Sequence, residues 1–201
     1  MARTALTAGE VETPSGKGAG DENFPVGSRL IAPPLRPHVM AFYRFARAAD
    51  DIADNPALAA GDKVARLDAF EESLAPTGRL ETPRRLAVSL SETGVPDRHA
   101  RDLLSAFRQD AVKNRYASFD ELVDYCERSA NPVGRVLLDL HGEPRSARPA
   151  SDALCTALQI LNHLQDCVPD YRKLDRVYLP QDWLAQAGES VHALEGTRSS
   201  P

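Results

Sequence analysis

Three aspartates crowd the stretch AFYRFARAADDIAD: Asp50, Asp51 and Asp54, directly after Arg44 and Arg47. Asp50 and Asp54 are four residues apart and share one face of a helix, with Asp51 alongside and Arg47 one turn before Asp51. Like charges so placed repel by a few tenths of a kcal/mol per pair, and Asp gains nothing from a helix interior. Alone, such a motif also reads as a solvated acidic helix end. Two or three carboxylates on one face, however, suit a hard Mg²⁺ that keeps several waters and bridges to phosphate oxygens. A second stretch, LQILNHLQDCVPDYRKLDRVYLP, spaces Asn162, Asp166 and Asp170 by four, which sets an amide and two carboxylates along a single stripe. Gln159 adds a polar position about a turn earlier, and Leu158, Leu161 and Leu164 form the apolar side. Two acidic triads on facing helices would hold several Mg²⁺ ions around one diphosphate.

A third stretch, KNRYASFDELVDYCERSANPVG, carries Tyr116, Tyr125, the small pair Ser129 and Ala130, the breaker Asn131-Pro132, and Gly134. Small residues at a broken helix would let a bulky apolar substrate approach the backbone; the same residues also read as a helix stop and restart with Pro132 in the first turn. Arg44, Arg47, Lys113, Arg115, Arg172, Lys173 and Arg176 lie near these motifs, and Arg suits bidentate phosphate contacts. No HExxH, GxSxG, P-loop or GxGxxG is present.

These residues need helices to position them. From about Arg36 onward apolar residues recur at three and four, as in Val39, Phe42, Tyr43 and Ala46, then Leu103, Leu104, Phe107 and Ala111. With the punctuators Asn55-Pro56, Gly94-Val95-Pro96, Gly142-Glu143-Pro144 and Pro180, the spacing predicts helices near 36–54, 62–75, 83–92, 97–114, 118–130, 132–142 and 151–168, and a loop at 171–180. Alternating β-branched runs are nearly absent. An all-α domain of antiparallel helices follows, with its ligand site built from side chains on facing helices.

With 201 residues, 42% hydrophobic and 26% charged, one domain is the expectation. The net charge of -5 supplies no general basic field, so nucleic acid is not a predicted partner. Cys126, Cys155 and Cys167 are odd in number and lack CxxC spacing, which points to reduced thiols in a cytoplasmic setting. No apolar run approaches the roughly 18 to 20 residues of a membrane span. Residues 1–22 lack an apolar signal core and read as a disordered leader, which leaves 23–201 as the domain.

Three motifs in this order resemble those of the head-to-head trans-isoprenyl diphosphate synthases, which include squalene and phytoene synthases. AFYRFARAADDIAD resembles the first aspartate-rich motif, YASFDELVDYCERSANPVG the central tyrosine segment, and LQILNHLQDCVPDYRKLDRVYLPQDWL the second aspartate-rich motif. Within the family, ENFPVGSRLI, RYASF and SANPVG look most like the bacterial hydroxysqualene synthases of the hopanoid route. The resemblance implies an isoprenoid-synthase-like helix bundle with a central cavity. It implies a prenyl diphosphate substrate, presqualene diphosphate or farnesyl diphosphate, and Mg²⁺ without a nicotinamide cofactor. Asp50, Asp51, Asp54, Asn162, Asp166 and Asp170 would bind the metal. Tyr43, Arg47, Arg176 and Tyr178 would contact phosphates, Tyr125 would sit near the reacting centre, and Gln159 and Gly134 would line the pocket. Hydroxysqualene formation from presqualene diphosphate is the activity implied; the alternatives are a presqualene diphosphate or phytoene synthase, and a non-catalytic helical partner of a sister synthase. Peripheral contact with the inner membrane face and with sister enzymes would follow from lipid substrates.

Three residues depart from the family pattern. Pro25 replaces a frequent Ser, Gln165 stands where Arg is frequent, and Pro169 would clash with the carbonyl of residue 165 in a continuous helix, kinking it before Asp170. Family members continue for several helices beyond the YLPQDWL segment, so a bundle lacking its C-terminal helices, with the site open to solvent, is expected.

Overall fold

The computed structural model describes residues 31–196 together with Val11, Glu12, Pro14 and Gly16. Nine α-helices are formed by these residues: α1 Arg36–Ala53, α2 Ala60–Glu72, α3 Glu81–Thr93, α4 Arg98–Asp110, α5 Phe119–Ser129, α6 Asn131–Leu140, α7 Arg148–Gln165, α8 Cys167–Leu174 and α9 Gln181–Gln186. Among the described residues there is no strand, only an isolated bridge between Arg115 and Val177. The all-α expectation holds. The expected leader falls mostly outside the described residues, as does Pro25. Val11, however, is fully buried in the core, and Glu12 accepts a hydrogen bond from Thr82 at 3.1 Å.

Local chemistry explains most boundaries. Pro37 sits in the first turn of α1, where a missing N–H costs nothing. Gly94 ends α3 at φ 71°, a left-handed cap that a Cβ would disfavour. Ser118 caps α5 by accepting from the Glu121 N–H at 3.3 Å, while Glu121 reaches back to the Ala117 N–H at 2.5 Å, a close relative of the capping box. Between α5 and α6 the chain stops at Ala130 and restarts with Pro132 in the first turn, the plainer of the two readings of that segment.

The expected continuous helix over 151–168 is corrected. It ends at Gln165, Asp166 takes φ -95° and ψ 3°, and α8 begins at Cys167. Pro169 thereby falls in the first turn of α8, where its absent N–H has no partner to lose. The polar stripe of Asn162, Asp166 and Asp170 is therefore bent, with Asp170 on a different helix. Residues 171–174, expected as loop, belong to α8.

Helix α1 packs against α2, α3 and α4, and α7 lies along α6. Phe42, Phe45, Ile52, Leu67, Phe70, Leu86, Leu103 and Leu104 form the main core. A smaller cluster of Tyr116, Leu122, Tyr125, Cys126 and Tyr178 closes the other end of α4 and α5. All three thiols are free; Cys126 and Cys167 are buried. Helix α7 has no fully buried residue, and Leu154, Leu158, Leu161 and Leu164 are at least half exposed.

Candidate functional site

Arg176 is the centre of the site. It follows Asp175, whose φ of 51° turns the chain sharply out of α8, and its side chain is only 5% exposed. One terminal nitrogen donates to Asp54 Oδ1 at 2.7 Å and contacts the Tyr178 hydroxyl at 3.4 Å; the other donates to the Asp110 carbonyl at 3.0 Å. Burial works against its charge, but Tyr178, Asp110 and Asp54 outweigh it and hold the guanidinium firmly protonated. Its Nε is a buried donor with no partner among the described residues. Such donors are rare in folded proteins and point to a missing acceptor.

Asp110, at the end of α4, gathers the aromatic side of the site. Its carboxylate accepts from the Tyr125 hydroxyl at 2.6 Å and from the Tyr178 hydroxyl at 3.0 Å. Burial lifts its pKa to about 6 against the opposing pull of Arg176 and Tyr125. Burial, and then the Asp110 charge, raise both tyrosines well above their usual value, so they stay protonated and donate. Tyr116 stacks on Tyr178 at 5.3 Å and meets Tyr125 edge-on at 5.4 Å.

On α1, Arg47 donates to Asp50 at 2.8 Å and lies 3.9 Å from Asp51. Asp51 is buried, whereas Asp50 keeps about a third of its side chain exposed (34%). Asp50 is pushed up to about 8, by desolvation first and then by the charge of Asp54. Across the site Asp170 rises to about 6 through burial, Asp54 and Asp166, in that order. The two aspartate-rich motifs thus feel each other's charge, as facing triads must. Tyr43 lies one turn ahead of Arg47 on α1.

The donor chemistry fits Mg²⁺: all the acidic groups are hard oxygen donors, and their mutual repulsion is what a divalent cation relieves. Among the described residues, no three acidic, His or Cys side chains converge closely enough to form a finished metal site. Asp54 is engaged by Arg176, while Asp166 lies exposed at the helix break. Gly134, expected to line a pocket, is placed otherwise: a Cβ there would lie 2.4 Å from Ser151 Oγ and 2.7 Å from Cys155 Sγ, so its open side is filled by α7. Lys113 and Arg115 are paired with Glu121 and Asp175 rather than turned to a ligand.

Three residues of the site are not candidates from sequence spacing. Asp110 shares the stripe of Leu103 and Ala106, both nearly or fully buried, and a carboxylate on such a stripe is a legible sign of a polar interior. His163 stacks on Tyr178 with ring centroids 3.6 Å apart, and burial and Arg176 drive its pKa down to about 3. Lys63, on α2, is lowered by burial and then by Arg176, within electrostatic reach of Asp54 and Asp110.

The family profile described as squalene/phytoene synthase matches residues 18–201. The chain is 52% identical over 193 residues to the hydroxysqualene synthase of Rhodopseudomonas palustris, covering 94% of this chain and 65% of that protein. It is 49% identical to the hydroxysqualene synthase of Sinorhizobium fredii, over 90% and 62% of the two chains. Phytoene synthase 1 of Solanum lycopersicum is 34% identical, over 84% of this chain and 43% of that one. The chain thus spans less than two thirds of the length of the curated relatives. Among solved structures, squalene synthase HpnC from Alicyclobacillus acidocaldarius superposes with a TM-score of 0.77 at 37% identity, over 90% of this chain and 70% of that one.

Proposed function

Since this chain belongs to the squalene/phytoene synthase family, we propose that it carries out Mg²⁺-dependent conversion of presqualene diphosphate and water to hydroxysqualene and diphosphate. The observation that carries the reading is the buried Arg176 guanidinium, held by Asp54 and Asp110 beside two tyrosine hydroxyls, with an unused Nε donor. A phosphate oxygen is the acceptor such a donor lacks. Identity near one half with proteins named hydroxysqualene synthase, against about one third with phytoene synthases, favours this product over condensation of two prenyl diphosphates.

The geometry supports a division of roles among these residues. Asp50, Asp51, Asp54, Asn162, Asp166 and Asp170 would hold Mg²⁺, which supplies electrostatic stabilisation of the leaving diphosphate. Arg47 and Arg176 bind and orient the same leaving group, and fixed cations in a water-poor site lower the barrier to its departure. Tyr43 would support Arg47 from the preceding turn. Tyr125 and Tyr178 present aromatic faces and hydroxyls at the reacting end, where Asp110 fixes both hydroxyls in one orientation. The protein needs no nicotinamide for this chemistry, since no hydride is transferred.

No helix among the described residues is long and apolar enough to cross a membrane. A cytoplasmic protein in loose contact with the membrane face and with sister enzymes of the hopanoid route suits a lipid substrate and product. The test gives the purified chain Mg²⁺ with presqualene diphosphate or with farnesyl diphosphate, without reductant, and reads extracts by mass spectrometry. Hydroxysqualene from the first substrate, lost in Asp51→Asn and Asp166→Asn variants, is expected. Presqualene diphosphate made from the second would instead assign the condensing activity, and product from neither would favour a binding role.

A further inference from the structure

Helix α7 turns two polar side chains, Gln159 and His163, one turn apart, along the wall where the tyrosines gather. The His163 ring lies flat on Tyr178, with planes at 14°, and its centroid is 5.9 Å from that of Tyr125. Its Nε2 lies 3.2 Å from the Gln159 amide nitrogen, and among the described residues neither side chain makes another hydrogen bond. A half-buried imidazole and amide usually satisfy more of their capacity. One ring nitrogen and the amide oxygen remain without a partner among the described residues, on two side chains already in contact, in a wall otherwise built of Ile160 and aromatic rings. Two such free polar atoms can offer a water hydrogen bonds at the edge of a surface that would otherwise exclude it.

A carbocation in such a surrounding has two fates: loss of a neighbouring proton to give an alkene, or capture by water to give an alcohol. We propose that the His163–Gln159 pair holds the water that adds to the cation and thereby sets the product as an alcohol. The inference rests on the function proposed above. In the balanced step, the bond from carbon to diphosphate has broken with its electron pair on the diphosphate. The water oxygen forms the new C–O bond with a lone pair, and the surplus proton passes to the departed diphosphate. No oxidant or reductant enters.

The test incubates the purified chain with Mg²⁺ and presqualene diphosphate in ¹⁸O-water, counts released diphosphate, and measures labelled alcohol against alkene by mass spectrometry. His163→Phe keeps a ring over Tyr178 and removes both nitrogens; Gln159→Leu removes the amide and carries the test if the first variant does not fold. The alcohol-to-alkene ratio is expected to fall at least tenfold in either variant. An unchanged ratio in a folded variant overturns the water-holding role alone. A folded variant that releases no diphosphate places the residue in ionisation and overturns it too. A wild-type chain that releases no diphosphate overturns the proposed function, and this inference with it.

Discussion

Replacing Gly134 by alanine sets a hard-sphere problem with a known remedy. The added Cβ would stand 2.4 Å from Ser151 Oγ and 2.7 Å from Cys155 Sγ, where about 3.4 Å is the ordinary limit, so α6 and α7 must separate or both side chains must rotate. Rotation is not free, because both side chains face α6 at close range and the Cys155 thiol is partly buried. Overpacking of this kind costs about 1–3 kcal/mol, and the better helix propensity of Ala returns about 1 kcal/mol. A net loss of about 1 kcal/mol follows, read as a lower urea midpoint at unchanged slope. In a Ser151→Ala, Cys155→Ala background both clashing atoms are gone and only the propensity gain remains. The same substitution should there stabilise by about 0.5–1 kcal/mol. The change of sign is the diagnostic, and the double-mutant cycle yields a coupling of about 1–3 kcal/mol. Equal effects in the two backgrounds would refute the packing argument and return Gly134 to the role of pocket wall.

Asp110→Ala removes the acceptor of two buried tyrosine hydroxyls, and a loss of about 2–4 kcal/mol in urea unfolding is expected. Stability of the metal-free protein should fall as pH rises from about 4.5 to 8. The folded chain retains protons on Asp110 and Asp170 up to about 6 and on Asp50 up to about 8, which the unfolded chain has already released. His163, held near 3 in the fold, contributes the opposite slope below its ordinary value of 6.5, but it is one group against three. Mg²⁺ should therefore raise the melting temperature more at pH 7.5 than at pH 5, and Asp54→Asn should shrink that difference; calorimetry with and without EDTA checks both. Asp139 behaves conversely. Burial pushes it up, yet hydrogen bonds from His99 and Arg148 prevail and leave it below 3.8, so its contribution is complete above the ordinary carboxyl value and lost as pH falls through the folded one. Asp139→Asn should flatten the acid limb of the stability curve. Ser118→Ala should cost about 1 kcal/mol by uncapping α5.

Much of this arrangement is legible in the order of residues alone. The spacing by three and four marks each helix of the core, Pro132 marks a first turn, and the charge and spacing of Asp50, Asp54 and Asp170 mark an acidic cluster in which Asp54 raises the pKa of the other two. What stays hidden depends on contacts between helices that are far apart in sequence. Arg176 and Asp54 are 122 residues apart, and Asp110 and Tyr178 are 68. No local pattern couples them. The break at Asp166 is half visible: Pro169 predicts a kink, but its place in a new first turn depends on where the preceding helix ends. Gly134 reads as an open approach to the backbone because a sequence cannot say which neighbour fills the space beside a missing side chain.

The turn at Asp175 gives the innermost charge of the site a handle on the outside. Arg115 donates to both the backbone carbonyl and the carboxylate of Asp175, and its guanidinium lies 5.8 Å from the centre of the Tyr171 ring, whose hydroxyl reaches Glu195 at 2.8 Å. Asp175 is 68% exposed, so this clamp stands in water, where salt weakens it. The next residue is the buried Arg176, sheltered from the same ions. Concentrated salt is therefore expected to weaken the clamp that braces the left-handed turn beside Arg176, in addition to screening the more exposed carboxylates Asp50, Asp54 and Asp166.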